Sequence, residues 1–252
     1  MRTFPAYLLL FAALNACAQK EKKTSHPIEN SQLLEHAYKA KSQVELAQFF
    51  GVWSKNITPA SQQEIQGMSP LHQEAYRVFT VFYKPHQLDS LGGSEWGNHI
   101  YQNAKFLLVQ NSIIIRKEDS SERDSITDFR PVVAVPNKQC IYLTSAREKT
   151  LTAFLGNTHV PLGTGGIMQP ARSSGESEKR KQFLENLVKI WPGHWGGYWQ
   201  LGSYPVAYTI TFDKDMLTAQ VDFQMIYEGG ESTLKKINGQ WELISSRRTW
   251  IE

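Results

Sequence analysis

Leu234-Lys235-Lys236-Ile237-Asn238-Gly239-Gln240-Trp241-Glu242-Leu243 is the stretch on which the fold turns. Asn-Gly between two apolar runs is a strong hairpin signal, because a tight turn needs positive φ at both central residues and these two tolerate it. A two-residue turn at Asn238-Gly239 puts Leu234 opposite Leu243 and Lys235 opposite Glu242. One match is apolar and the other ionic, so both support that register. Toward the N-terminus the alternation persists. Ala219, Val221, Phe223, Met225 and Tyr227 alternate with Gln220, Asp222 and Gln224. Before the Asp213-Lys214-Asp215 break, Val206, Tyr208, Ile210 and Phe212 alternate with Ala207, Thr209 and Thr211. A period of two with one wet face marks half-buried antiparallel strands, so the chain ends in a four-stranded meander.

Upstream the period changes to that of a helix. Leu33, Leu34, Ala37 and Tyr38 share a stripe from Ser31, and Ser42-Gln43-Val44-Glu45 has the form of a capping box. Ser69-Pro70 is an N-cap followed by proline at the first helical position, and that helix runs to Pro85. Phe106 to Val109 and Ile113 to Ile115 read as strands around Gln110-Asn111-Ser112, followed by a charged loop over 117–125. Short strands are expected at 129–135 and 140–143, and a helix over 146–155. A further helix starts at Glu176, with its stripe continuing to Trp191 before Pro192-Gly193 ends it. The class is α+β: N-terminal helices plus a curved antiparallel sheet closing in the meander.

Met1 and Arg2, the apolar stretch from Tyr7 to Leu14, and Leu14-Asn15-Ala16-Cys17 have the order of an export signal. The apolar segment is too short to span a bilayer. A cysteine after the small residue resembles a bacterial lipobox, which implies acylation of Cys17 and removal of residues 1–16. Ala18 at the following position is, by that resemblance, the choice that favours the outer membrane. The expected organisation is a signal over 1–16, a lipidated Cys17 with a polar tether over 17–30, and one α+β domain over 31–252 with an internal break near 157–175. Plain secretion and an unprocessed start are the alternatives. With Cys17 acylated, Cys140 has no intramolecular disulfide partner, so the domain must be held by its core. Net charge is +3, and Lys20, Lys22 and Lys23 in the tether carry much of the excess, which leaves no basic stripe for nucleic acid.

Two resemblances go with these residues. Helices leading into a meander, with Tyr227-Glu228-Gly229-Gly230-Glu231 and Lys236-Ile237-Asn238-Gly239-Gln240-Trp241, resemble the NTF2-like (cystatin-related) α+β architecture between Glu176 and Trp250. The chain is about twice the usual size of that fold. The lipobox with His194-Trp195-Gly196-Gly197-Tyr198-Trp199 resembles uncharacterised Bacteroidota-type lipoproteins, a resemblance that carries no activity.

The densest unusual segment is Trp191 to Tyr204. Rings on a glycine-rich loop suit stacking on a sugar or apolar ligand, so Trp195, Tyr198, Trp199 and Tyr204 are candidate ligand contacts, with Arg172 and His194 as polar handles. The expected place is the concave side of the meander. The competing reading tucks the rings into the core and makes His194 a spacer. Glu228 and Glu231 flank Gly229-Gly230. A two-residue turn there opposes the carboxylates at about 5 Å, which suits a retaining glycosidase or a hard cation. The alternative is a bulge, with each Glu turned to water or to Lys235, Arg247 or Arg248.

Neither Gly163-Thr164-Gly165-Gly166 nor Arg172-Ser173-Ser174-Gly175-Glu176 has the spacing of a phosphate loop or a serine-hydrolase elbow. Glu95 and His99 make a poor metal pair among glycines. No cofactor or metal is implied. The sequence therefore reads as a lipid-anchored envelope protein that binds a small molecule, a glycan or a partner protein. An envelope glycan hydrolase using Glu228 and Glu231 and a pocketless assembly protein are its rivals.

Overall fold

Asn238 and Gly239 both take positive φ, 51° and 82°, and the flanking strands pair Leu234 with Leu243 and Lys235 with Glu242 as read from the sequence. The computed structural model describes residues 31–92, 97–120, 123–156, 175–192 and 199–251. In chain order these form helices α1 (Ser31–Lys39), α2 (Gln43–Asn56), α3 (Gln62–Gln66) and α4 (Pro70–Phe82), then a short 3-10 turn (Leu88–Leu91). Strands β1 (Phe106–Gln110), β2 (Ile113–Lys117), β3 (Arg123–Ile126) and β4 (Gln139–Leu143) follow, with α5 (Ser145–Phe154) and α6 (Gly175–Leu184) after them. The chain then makes β5 (Trp191–Pro192), β6 (Trp199–Gln200), β7 (Val206–Phe212), β8 (Thr218–Met225), β9 (Glu228–Ile237) and β10 (Gln240–Ile251).

The main sheet has the order β10-β9-β8-β7-β2-β3. The meander β7 to β10 is antiparallel, but β2 runs parallel to β7, so the sheet is mixed where an antiparallel one was expected. The protein is α+β, and among the described residues no barrel closes. β1 leaves this sheet and pairs in parallel with β4 as a two-stranded ribbon. Every apolar side chain of β1 is buried because both of its faces are covered. Leu107 and Val109 join the core under the main sheet, while Phe106 and Leu108 join a second core built from α1, α2, α5 and α6.

Side chains tie β1 to the meander where no ladder does. The Gln110 amide donates to the Ala207 carbonyl at 2.8 Å and accepts from its N–H at 2.7 Å, as a strand peptide would. The Leu108 N–H donates to Ser203 Oγ at 2.9 Å, and the Ser203 N–H to the Leu108 carbonyl at 2.7 Å. In the second core, Arg147 is fully buried and donates to the Tyr142 and Trp53 carbonyls at 2.9 and 2.8 Å, with its guanidinium over the Trp53 ring. Those bonds offset the cost of burying the charge.

Helix starts follow the caps in the sequence. Ser42 accepts from the Glu45 N–H and Ser69 from the His72 N–H. Glu45 does not complete the box; its carboxylate meets His36 Nδ1 at 2.8 Å. Three expectations fail for reasons of tertiary structure. Residues 129–135 pair with no strand: Asn111 bonds the Phe129 backbone on both sides, and the Tyr142 hydroxyl donates to the Pro131 carbonyl. Helix α6 ends at Leu184 and a turn carries the chain to Val188; there the Leu187 carbonyl accepts from the Lys105 and Phe106 N–H groups, so the helix does not extend to Trp191. Arg123–Ile126, whose first three residues fall in the expected loop over 117–125, is the edge strand β3.

Candidate functional site

Among the described residues, the side of the meander that meets α4 is filled by side chains and shows no open cleft of the kind expected there. Phe79 and Phe82 of α4 pack with Phe223, Leu234 and Trp241 of the sheet, and all of these are buried. At its edge Glu74 accepts from Trp241 Nε1 at 2.6 Å and pairs with Lys236 at 2.9 Å and Arg77 at 2.7 Å. Burial pushes the Glu74 carboxyl up, but these hydrogen bonds and charges outweigh it and hold the group below the ordinary carboxylate range.

Of the aromatic candidates, Tyr204 belongs to this core. It is 2% exposed, its N–H donates to the Tyr101 hydroxyl oxygen at 2.6 Å, and its own hydroxyl donates to Gln200 Oε1. Trp199 packs against the other core, where its Nε1 donates to Ser177 Oγ at 3.1 Å and Lys181 lies over its ring. The two residues therefore pack into different cores. Arg172, His194, Trp195, Tyr198 and the lipidation position Cys17 lie outside the described residues.

Gly229-Gly230 is not a turn, and as the alternative reading has it a bulge lies there: the β9–β10 register shifts opposite the pair, between Arg248 and Trp250. The turn is Ile226-Tyr227, with Ile226 at φ 58°, and both glycines lie inside β9. Their missing side chains are used on opposite faces. A Cβ on Gly230 would meet the Arg247 carbonyl oxygen at 2.3 Å and Phe223 Cζ at 2.7 Å. On Gly229 it would meet Cε2, Cζ2 and Nε1 of Trp250 at 1.9, 2.1 and 2.3 Å, so the indole lies flat across that glycine. Glu228 and Glu231, three apart in a strand, consequently point to opposite faces. Glu228 is 1% exposed and pairs with Arg248 at 2.5 Å, while its second oxygen is buried with no hydrogen-bond partner among the described residues. Glu231 pairs with Arg247 at 3.0 Å. The opposed pair expected across a tight turn does not form, and the arginine partners of the alternative reading do.

What the register builds instead is a row on the outer face, away from α4. Thr209, Asp222, Glu231 and Arg247 are successive cross-strand partners on β7, β8, β9 and β10. Gln220 donates to Asp222 at 3.0 Å. The adjacent row is Val206, Gln224, Gly229 and Trp250. Tyr208, the extra residue at a bulge in β7, reaches that row through a hydrogen bond from its hydroxyl to Gln224. Tyr208 and Trp250 are 42% and 41% exposed, whereas Trp241, on the other face of the same final strand, is 6% exposed. Tyr227 fixes this end of the sheet by donating from its hydroxyl to the Pro192 carbonyl at 3.0 Å.

Sequence reasoning placed Trp250 in a final strand but gave it no role. The signal lay in Gly229, a glycine inside a strand, which marks close approach by another group.

Among the described residues no group of three His, Cys, Asp or Glu side chains could hold a metal ion, and no helix is long and apolar enough to cross a membrane. Cys140 is half-buried with its thiol directed to the Val133 carbonyl, and burial pushes it up to about 11. Comparison with protein-family models, with curated proteins and with solved structures finds no match.

Proposed function

We propose that this chain is a cell-envelope lipoprotein, anchored through an acylated Cys17, whose α+β domain is a non-catalytic binding domain working through the outer face of its meander. The anchor reading is supported by the export-signal order of residues 1–17, and Ala18 favours the outer membrane. The binding reading is carried by one observation. The two faces of the same sheet differ: one is packed solid against α4, and the other presents an exposed indole laid flat beside a row of hydrogen-bonding side chains. Exposed aromatic surface beside ordered polar groups is what a recognition face needs. The hydrolase reading required Glu228 and Glu231 to act together, and their positions on opposite faces, each held by its own arginine, speak against it.

A photo-cross-linking side chain placed at Gln224, and separately at Lys55 on α2, tests the binding face in intact cells. Adducts from Gln224 and none from Lys55 are the expected result. Equal labelling, or none from Gln224, refutes it. Mass spectrometry of the native protein tests the anchor, which predicts an acylated cysteine as the first residue.

A further inference from the structure

We propose that the outer face binds a neutral glycan chain, with Trp250 as its stacking platform; this deepens the reading that the face is a binding surface and rests on it. One side of the Trp250 ring covers Gly229, and the residue remains 41% exposed, so the opposite π face is turned outward. A flat, outward ring matches the flat array of C–H groups on a pyranose. The row it occupies crosses β7 to β10, a span of about 14 Å at ~4.8 Å per strand; the Trp250 ring lies over Gly229 of β9, and Tyr208 reaches in from β7 to Gln224 of β8. That length suits several linked sugars better than one.

The next row stands about 7 Å away along the strands and offers the carboxylates of Asp222 and Glu231 beside the guanidinium of Arg247. Sugar hydroxyls both donate and accept, so they can use carboxylate and guanidinium together in charge-assisted hydrogen bonds. The same mixture selects against charged chains. Asp222 and Glu231 repel a polyanion, and Arg247, with Arg116 two strands beyond Asp222, repels a polycation. A neutral polyhydroxylated chain is the occupant that neither sign excludes.

The test uses the purified full-length protein in a detergent without a sugar headgroup. Cellohexaose, chitohexaose and mannohexaose are the neutral probes, hexagalacturonate is the anionic probe, and titration calorimetry is the readout. At least one neutral hexasaccharide should bind, hexagalacturonate should not, and Trp250→Ala should weaken binding at least tenfold. Gly229→Ala keeps the tryptophan but lifts its ring from the sheet, and should weaken binding as well. Lys55→Ala should leave it unchanged. Failure of all three neutral probes, or binding as tight as the parent's by Trp250→Ala, overturns the proposal. Cross-links from Gln224 to a protein, with no glycan bound, would overturn the glycan and leave the binding face standing.

Discussion

Replacing Glu74 by glutamine should cost the fold about 2 kcal/mol at neutral pH. The carboxylate is the shared acceptor for Trp241 Nε1, Lys236 Nζ and Arg77 Nη1, and it is itself buried. Glutamine still accepts from the indole but meets the two cations with neutral or donating atoms. The Lys236 bond, at a mostly buried ammonium, is worth about 1.5–2 kcal/mol. The Arg77 pair is largely exposed at the arginine end and adds only about 0.3–0.5 kcal/mol. Glu74→Ala also strands the indole N–H and should cost about 1 kcal/mol more.

The pH dependence has a definite sign. The folded carboxyl titrates below its ordinary value of 4.5, so its contribution is complete above that pH and is lost as pH falls through the folded value. Urea unfolding of the parent and Glu74→Gln, followed by tryptophan fluorescence, should show the full gap at pH 7 and a narrowed one at pH 3. A gap of zero at pH 7, or an equal gap at both pH values, would refute the reasoning.

Two other substitutions probe the fold. Gly230→Ala puts a methyl 2.3 Å from a backbone carbonyl that cannot step aside without moving β10, and should destabilise by about 1–3 kcal/mol in urea titration; parent-like stability would show that the strand pair gives more freely than its packing implies. Cys140, pushed up to about 11, is about one part in a thousand thiolate at pH 8 and should react with a thiol reagent only after unfolding; prompt labelling of the native protein at this residue contradicts that.

The C-terminal hairpin was legible because its information is local. Asn238-Gly239 sets the turn, and matched pairs on both sides set the register. The serine caps were legible for the same reason. Pairings between distant segments left no such mark: Phe106 to Val109 reads as a buried strand, but nothing local says that it pairs with Gln139–Leu143 outside the main sheet. Gly229-Gly230 misled because glycine pairs usually mark turns, whereas here they clear space for Trp250 and Phe223, and the turn falls on apolar Ile226. The face of Trp250 was equally hidden. Bulges after Leu243 and after Arg248 each shift the alternation of β10, and only the paired register shows that the indole ends on the outer side.

Thermal unfolding of Trp241→Ala and Trp250→Ala compares two tryptophans of one strand on its two faces. If the α4 side is the core and the outer side is the working face, Trp241→Ala should lose about 3–5 kcal/mol, or about 10 °C in Tm, while Trp250→Ala loses at most about 1 kcal/mol. Equal losses, or a larger one at Trp250, would mean that the outer indole is holding the fold together and is not available to bind anything.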